Sequence, residues 1–379
     1  MNELTLVKAP IANAKGLPNG CYVNPEMYQQ EQDEIFTKGW AAIGFSHDVP
    51  EAGWVCPVEF MGQPLLITRN KAGEIHVFEN VCRHRGMILV SEHKRLSGPI
   101  TCIYHAWSYD LDGALRATPH LGGPDIHEHE EVNCASLALN KIDSAVWRNV
   151  IFVNLSGDAQ PFDDYIAPLA QRWAEFDQPI YFGGEDSEFL LNVECNWKLA
   201  VENYCESYHL PSIHPGLNSY SRLEDHYNIL DSDCHAGQGT WVYNPSISDD
   251  GRTFPAHDGL SEKWNKAAEY CALFPNVLFG VHKDHSFAIL LLPAEQQKTV
   301  ERCAIFYASE ESTRAEFSDM RITNAAMWKE IFIEDIGVVE GMQKGRAGMR
   351  FDGGTFSPVM DTPTHHFHKW VAEKLTAGQ

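Results

Sequence analysis

Residues 82–105 hold two short pairs of potential metal ligands, Cys82-x-His84 and Cys102-x-x-His105, in the stretch CRHRGMILVSEHKRLSGPITCIYH. Two thiolates and two imidazoles are the ligands of a Rieske [2Fe–2S] cluster, where the thiolates hold one iron and the imidazoles hold the other. Each turn then has to supply one cysteine and one histidine. The residue types and their spacing therefore predict an iron–sulfur cluster held by two tight turns.

Two other interpretations of the same four residues are open. Zinc also accepts a Cys₂His₂ set, but zinc sites favour pairs of like residues, Cys-x₂₋₄-Cys and His-x₃₋₅-His. The four residues could also be near each other by coincidence, since the chain has 10 cysteines and 18 histidines. The mixed pairing favours the iron–sulfur cluster over both.

Short β-type segments surround this stretch. From about residue 39 to residue 155, runs such as GWVCPVEF and EIHVFEN are rich in β-branched and aromatic residues. Tight turns are predicted at 70–73 and at Asp112-Gly113, where two hairpins would reverse. The polar segment 156–164 is predicted to be a linker.

The rest of the chain mixes helical and strand patterns, and its 379 residues exceed the roughly 100–200 residues of one domain. We predict an α+β fold in which a β-rich module, 39–155, is inserted into an α+β domain with a central antiparallel sheet and helices. That domain would combine an N-terminal arm, 1–38, with residues 156–379. Helices are predicted at 26–38, 165–177, 197–210 and 313–345, and two strands with a turn at 273–293.

A second motif lies at 196–215, NWKLAVENYCESYHLPSIHP. On a continuous helix, Glu202, Glu206 and His209 would share one face, and Pro211 would limit that helix. His214 follows in the turn beyond, so both imidazoles can converge on one ion. Two histidines and one carboxylate are typical of non-heme Fe(II) that activates O₂. The alternative is an ordinary solvated acidic face with surface histidines.

The charge balance excludes some partners. A net charge of -23 disfavours nucleic acid and acidic membrane surfaces. No apolar run approaches the roughly 20 residues of a membrane span, and no secretory leader is visible. A cytoplasmic location is therefore expected, where thiols stay reduced and paired cysteines serve as metal ligands.

The two motifs together resemble the Rieske non-heme iron oxygenases. The stretch CRHRG…CIYHAWSYDLDG is similar to that family's C-x-H-R-G…C-x-Y-H-x-W-x-Y pattern. The family's second pattern, an acid, two residues, His, four residues, His, matches Glu206, His209 and His214. The resemblance implies a third iron ligand in a late Glu-Asp pair. Asp335 is the preferred candidate, with Asp352 and Asp361 as alternatives.

The same resemblance implies a role for Glu206. In the family, the acid at this position bridges a cluster histidine of one subunit to an iron histidine of the next, which couples the two centres. Most members have Asp at this position. Glu is frequent among members that oxidise quaternary ammonium compounds such as choline, carnitine and betaines.

The resemblance therefore implies the terminal oxygenase alpha subunit of a multicomponent system. A Rieske domain, 39–155, would carry the [2Fe–2S] cluster, and a catalytic domain would carry mononuclear Fe(II). An NAD(P)H-dependent flavin/iron–sulfur reductase would supply electrons for O₂ activation, and the subunits would form a homotrimer. The expected reaction is monooxygenation of a small quaternary ammonium compound by hydroxylation or N-demethylation.

Two other functions are alternatives to this expectation. The first is hydroxylation or O-demethylation of an aromatic substrate. The second is a pure electron carrier without oxygenase activity. Two further histidine groups, 127–129 and 365–368, are interpreted as surface clusters rather than metal sites.

Overall fold

The computed structural model describes residues 3–248 and 250–377. The chain divides into two compact units, one formed by 36–159 and the other by 1–35 together with 160–379. The first unit is a few residues wider at each end than the segment 39–155 expected for the Rieske domain.

The 36–159 unit is built from antiparallel sheets. A seven-stranded sheet has the order β1-β10-β9-β4-β3-β2-β5, and β6, β7 and β8 form a smaller sheet. The strands are β1 (Ala41–Phe45), β2 (Trp54–Phe60), β3 (Gln63–Arg69), β4 (Ile75–Glu79), β5 (Lys94–Arg95), β6 (Ile100–Thr101), β7 (Ser108–Tyr109), β8 (Leu115–Ala117), β9 (Lys141–Trp147) and β10 (Val150–Asn154).

Turn chemistry sets the hairpins of this unit. Asn70 accepts hydrogen bonds on its side-chain oxygen from the backbone N–H groups of Ala72 and Glu74, and Gly73 has a φ of 86°. Only residues that tolerate the left-handed region close such a turn without strain. Gly113, with a φ of 84°, plays the same part between β7 and β8.

The second unit has an eight-stranded antiparallel sheet in the order β11-β18-β17-β16-β15-β14-β13, with β12 also paired to β18. The strands are β11 (Tyr181–Phe182), β12 (Glu188–Val193), β13 (His226–Ile229), β14 (His235–Thr240), β15 (Ala268–Leu273), β16 (Val277–Val281), β17 (His285–Glu295) and β18 (Lys298–Tyr307). This confirms the predicted central antiparallel sheet.

Helices pack around that sheet. They are α1 (Glu3–Val7), α2 (Gly20–Val23), α3 (Pro25–Glu31), α4 (Phe162–Arg172), α5 (Trp197–Cys205), α6 (Leu210–Ile213), α7 (Pro215–Asn218), α8 (Ser318–Gly345) and α9 (Thr362–Thr376). Helix α5 contacts the sheet strands β14, β15 and β17 and also the helices α8 and α9. Most of its residues are buried for that reason.

A buried ion pair ties α3 to α5. Lys198 and Glu31 are both fully buried, with 2.6 Å between Lys198 Nζ and Glu31 Oε1. Lys198 Nζ also donates to Asn196 Oδ1 at 2.7 Å, and the indole N–H of Trp197 donates to Glu31 at 3.0 Å. Each charge is therefore compensated inside the core, which is what makes its burial tolerable.

Lys198→Met is expected to destabilise the protein by about 3–5 kcal/mol, because it leaves the Glu31 carboxylate buried without its cation. Urea unfolding followed by tryptophan fluorescence measures this. Lys344→Met, which changes an exposed lysine of α8, should stay within about 0.5 kcal/mol of the parent. Adding Glu31→Leu to Lys198→Met should recover part of the loss; no recovery would show that the pair is not what stabilises this contact.

Candidate functional site

The two cysteine–histidine loops share one backbone geometry. In the first loop, the N–H of Cys82 donates to the carbonyl of Met87 at 2.8 Å, and the N–H of Gly86 donates back to Cys82 at 3.1 Å. In the second loop, the N–H of Cys102 donates to the carbonyl of Trp107 at 2.8 Å, and Ala106 closes onto Cys102 at 3.0 Å. The tight turns expected from the sequence are therefore present as an equivalent pair.

The left-handed residues of these turns are the ones that reverse the chain. Gly86 and Ala106 have φ values of 74° and 58°. The left-handed φ of Ala106 is costly, because alanine has a Cβ atom, and it persists only where the surroundings demand it. Strain of this kind is consistent with loops shaped for a bound group.

The cysteine and histidine side chains of the two loops lie in different surroundings. Cys82 and Cys102 lie in the core of the unit, buried among residues such as Tyr109. The rings of His84 and His105 lie together at the surface side, with 4.5 Å between their centroids. Nδ1 of His105 is buried and has no hydrogen-bond partner. Two buried thiols, two adjacent imidazoles and one unpartnered ring nitrogen fit the ligand set of a Rieske cluster.

Nearby aromatic rings hold these imidazoles. His84 stacks on Trp107 with 4.7 Å between ring centroids, and Tyr104 lies 3.8 Å from His105 by the same measure. The Tyr109 hydroxyl accepts a hydrogen bond from the backbone N–H of Arg83 and lies 3.4 Å from Cys82 Sγ. Hydrogen bonds near cluster sulfur atoms are one way in which a protein tunes such a centre.

The second candidate centre joins His209, His214 and Asp335, whose possible ligand atoms all lie within 4.8 Å of one another. Asp335 Oδ1 lies 3.0 Å from His214 Nε2 and 3.7 Å from His209 Nε2. This oxygen is buried and has no hydrogen-bond partner. A buried, unpartnered carboxylate oxygen facing two imidazole nitrogens fits a divalent metal ion.

A carboxylate orients each of the two imidazoles. Glu206 Oε1 accepts from His209 Nδ1 at 2.7 Å, and Glu334 Oε2 accepts from His214 Nδ1 at 2.7 Å. Because an ionised carboxylate can only accept, Nδ1 carries the proton in both rings and Nε2 keeps its lone pair. Both rings are therefore held in the tautomer that binds a metal through Nε2.

The local electrostatics also suit a cation. Burial alone would lower the pKa of His214, but the neighbouring carboxylates of Asp335 and Glu334 outweigh it and raise the pKa. The same negative potential would stabilise a bound metal dication.

The helix that carries the motif is shorter than predicted. A continuous helix over 197–210 is wrong, because α5 ends at Cys205 and Glu206 is extended, with φ −126° and ψ 159°. The Glu206 carboxylate accepts from the backbone N–H groups of Tyr208 and His209, which competes with the helical hydrogen bonds. Pro211 therefore does not end α5; it sits in the first turn of α6.

Glu202 does not share a face with Glu206 and His209, contrary to the helical prediction. Its carboxylate accepts from the Tyr22 hydroxyl, and it also lies 3.4 Å from Arg346 Nη2 and 3.3 Å from His368 Nε2.

The 365–368 histidines are likewise not a surface cluster, since His365 and His368 are both buried. Their ring nitrogens contact backbone groups of Val7 and Leu17 instead.

The two alternative acids are engaged elsewhere. Asp352 pairs with Lys15 at 2.9 Å, and the Asp361 side chain accepts from the backbone N–H of Ser357. Neither belongs to a group of metal-ligating side chains in the described parts of the chain. Asp335 is therefore the carboxylate that the fold brings to the two histidines.

A cavity with aromatic walls opens beside His209, His214 and Asp335. We call it the catalytic cavity. Its aromatic walls come from α5, β15, β17 and α8, and consist of Tyr204, Tyr270, Phe287, Trp328 and Phe332.

The polar atoms of three wall residues are hydrogen-bonded to the surrounding protein. The Tyr204 hydroxyl donates to the Phe279 carbonyl at 2.9 Å. The Tyr270 hydroxyl lies 3.1 Å from His282 Nε2, and the Trp328 indole N–H donates to His285 Nε2 at 3.1 Å. The rings are thereby fixed in place as a largely apolar lining.

Sequence reasoning missed most of this lining and the contact of Glu334. Only Phe287 falls within 273–293, the segment predicted to form two strands with a turn. In sequence, Glu334 is half of a Glu-Asp pair, but its hydrogen bond to His214 depends on how α8 packs. No local spacing signals either feature, since the residues are far apart in sequence.

Comparisons with known proteins agree with this architecture. Residues 182–377 match the family described as the ring hydroxylating alpha subunit (catalytic domain), and residues 39–135 match the Rieske [2Fe–2S] domain. The chain belongs to the Rieske-type ring-hydroxylating oxygenase alpha subunits. It is thus an oxidoreductase that uses O₂, and its cofactors are a Rieske [2Fe–2S] cluster and mononuclear iron.

Several curated relatives carry related names. Choline monooxygenase of Arabidopsis thaliana chloroplasts is 25% identical over 95% of this chain and 83% of its own length. The carnitine monooxygenase oxygenase subunit of Escherichia coli K12 is 23% identical over 94% and 93%. The glycine betaine monooxygenase oxygenase subunit of Chromohalobacter salexigens is 31% identical, over 55% of this chain and 45% of its own.

Solved structures show the same fold. A quaternary ammonium Rieske monooxygenase superposes with a TM-score of 0.78 at 21% identity over 98% of both chains. Naphthalene 1,2-dioxygenase from Rhodococcus sp. gives 0.78 at 17% identity, over 100% of this chain and 99% of its own. The expected fold class is confirmed. Among residues 3–248 and 250–377, no helix has the length and apolar character needed to span a bilayer.

Proposed function

We propose that this chain is the terminal oxygenase component of a system that monooxygenates a small quaternary ammonium compound, by hydroxylation or N-demethylation. The observation that carries the proposal is the aromatic lining of the catalytic cavity beside His209, His214 and Asp335. Relatives named for choline, carnitine and glycine betaine support the same substrate class.

The aromatic lining suits a cation that cannot donate hydrogen bonds. The rings form a connected wall, with 4.6 Å between the centroids of Phe287 and Trp328 and 5.4 Å between those of Phe287 and Phe332. The faces of such rings carry negative electrostatic potential and attract quaternary ammonium groups by about 0.5–2 kcal/mol per contact. A methyl group of the ammonium can thereby be held close to the metal ligands.

The assignments follow the geometry of the two centres. Cys82, His84, Cys102 and His105 would hold the [2Fe–2S] cluster, and His209, His214 and Asp335 would hold the mononuclear iron. The cluster supplies electrons and the iron supplies O₂ activation when both are bound. Glu206 and Glu334 accept hydrogen bonds from the imidazole Nδ1–H groups. The apolar walls exclude water from the bound substrate.

The redox partner and the assembly are part of the proposal. An NAD(P)H-dependent flavin/iron–sulfur reductase would feed the Rieske cluster, and three copies of the chain would form the oxygenase. Glu206 would then bridge a cluster histidine of one subunit and His209 of the next. The domain bounds 1–38, 39–155 and 156–379 and the cytoplasmic location stay predictions.

A substrate panel tests the proposed class. The holoenzyme with a reductase and NADH is offered choline, L-carnitine, glycine betaine and a matched set of methoxylated and unsubstituted aromatic acids. Substrate-dependent O₂ uptake is expected with the ammonium compounds, with formaldehyde released where a methyl group is removed. Turnover with aromatic compounds alone would overturn the proposal.

Glu206→Gln is expected to lower turnover about 10–100-fold while both metal centres stay loaded, because the amide orients the His209 ring less well. Iron analysis and rapid-mixing absorbance, which follows cluster reoxidation after reduction, measure this. Slower cluster reoxidation at full iron content is the expected signature. Glu224→Gln, at an exposed acid of the same unit, is the control. Unchanged reoxidation in Glu206→Gln would contradict the bridging role.

A further inference from the structure

The catalytic cavity is lined by side chains without a fixed positive charge. Among the residues that the structure describes, its lining contains no lysine and no arginine. Apart from the aromatic walls and the proposed metal ligands, the polar residues of the lining are Asn203, Ser207, Ser221, His226 and Gln238. Of these, only His226 can take up a proton near neutral pH. Its charge therefore decides whether the polar part of the lining is cationic.

The hydrogen bonds of His226 fit a neutral ring. Gln238 Nε2 donates to the carbonyl of Glu206 at 3.4 Å, which leaves the amide oxygen of Gln238 to face His226. Because an amide oxygen only accepts, His226 Nδ1 carries the proton in its 2.6 Å hydrogen bond with Gln238 Oε1. His226 Nε2 then accepts from the Ser221 hydroxyl at 3.0 Å. Burial also lowers the pKa of His226, so the ring is uncharged at neutral pH.

The elements around the cavity carry few basic side chains, and these are engaged or directed elsewhere. Lys198 of α5 pairs with Glu31, and Arg321 of α8 donates to two backbone carbonyls outside the lining. The strands that complete the lining, β13, β14, β15 and β17, contain no lysine or arginine. The remaining basic residues are exposed: Lys329 and Lys344 of α8, and Arg222 beyond α7.

Negative charge, by contrast, is concentrated at one end of the cavity. Asp335 lines it, and the carboxylates of Glu206 and Glu334 accept from the imidazoles of His209 and His214 at 2.7 Å each. A bound divalent ion would balance two of these three negative charges and leave one. The surroundings of the cavity therefore attract a cation and repel an anion.

Quaternary ammonium compounds fall into two groups by the charge of their tail. Choline ends in a hydroxyl group and is a cation. Glycine betaine has the same trimethylammonium head but ends in a carboxylate, so it is a zwitterion. On entering the cavity, that carboxylate would lose its water and would meet no cationic side chain of the described lining. Burying an unpaired charge costs far more than burying a hydroxyl group.

We propose that the catalytic cavity selects ammonium compounds with an uncharged tail, such as choline, over those that carry a carboxylate, such as glycine betaine and L-carnitine. The inference rests on the proposed function and narrows it to one group of substrates. Because the selection is by charge, compounds of equal size but different tail charge can test it.

Two matched pairs serve this purpose, glycine betaine with its amide and L-carnitine with its amide. Isothermal titration calorimetry on the holoenzyme, without reductant, should show at least about tenfold tighter binding of each amide than of its carboxylate. The kcat/KM for O₂ uptake should follow the same order. Equal or tighter binding of the carboxylates would overturn the inference and leave the proposed function standing. Turnover of aromatic acids with no O₂ uptake for any ammonium compound would overturn both.

Leu217→Lys adds the cation that the lining lacks. Leu217 lines the cavity from α7 and is half-buried. The added charge should raise the affinity for glycine betaine, relative to its amide, by about tenfold. Leu217→Met has an uncharged side chain of similar length and should keep the ratio of the parent. If Leu217→Lys also kept that ratio, the missing cation would not be the source of the selectivity, and the inference would be wrong.

Discussion

Asp335→Ala is expected to abolish substrate-dependent O₂ uptake, with a loss of at least about 100-fold, while the Rieske cluster stays intact. The carboxylate is the anionic member of the proposed ligand set, and Asp335 Oδ1 lies 3.0 Å from His214 Nε2. Without it, two neutral imidazoles remain and would hold a divalent ion weakly. Iron content should fall from about three atoms per chain to about two, since a Rieske cluster accounts for two.

The controls for Asp335→Ala lie on the same helix and among the alternative acids. Glu330→Ala changes an exposed carboxylate of α8 and should keep all of the iron and the activity. Asp352→Ala and Asp361→Ala should also keep the mononuclear iron. Full iron content in Asp335→Ala, or loss of one iron in either of the other two, would show that the third ligand has been misassigned.

The ligand motifs could be predicted from sequence because each is local. Cys82 and His84 lie in one turn, Cys102 and His105 lie in another, and the spacing within each pair is set by the backbone of that turn. His209 and His214 are likewise close in sequence, so their spacing limits the geometry that the two side chains can adopt. A site whose ligands lie within a few consecutive residues can therefore be recognised from its sequence pattern.

The catalytic cavity could not be predicted in this way. Tyr204, Tyr270 and Trp328 come from α5, β15 and α8, and only the packing of these helices on the sheet brings them together. In sequence, each is an ordinary core aromatic residue.

The helix error at Glu206 has a physical cause. Helical periodicity continued through this position, so the pattern alone predicted one face with Glu202, Glu206 and His209. The Glu206 side chain instead accepts from backbone N–H groups two and three residues ahead, which stabilises an extended residue there. The break turns His209 toward His214 and Asp335, and so the departure from the helical pattern builds the site.

Cys82→Ser is expected to eliminate reductase-driven turnover while the mononuclear iron stays bound. Serine is nearly the same size as cysteine but is a poor ligand for an iron–sulfur cluster, whose irons prefer thiolate. The visible absorption of the cluster should disappear, and about one iron per chain should remain. The cluster loops and the His209, His214 and Asp335 site lie in different compact units, so loss of one centre should not empty the other.

The matched control for Cys82→Ser is Cys134→Ser, which changes a partly buried cysteine of the same unit outside the two loops. It should keep the visible spectrum, about three irons per chain and full turnover. The spectrum also decides between cluster and zinc, because a Cys₂His₂ zinc site has no visible absorption and would show zinc in metal analysis. If Cys82→Ser kept its colour and its turnover, electrons would have to enter by another route, and the assignment of the two loops would be wrong.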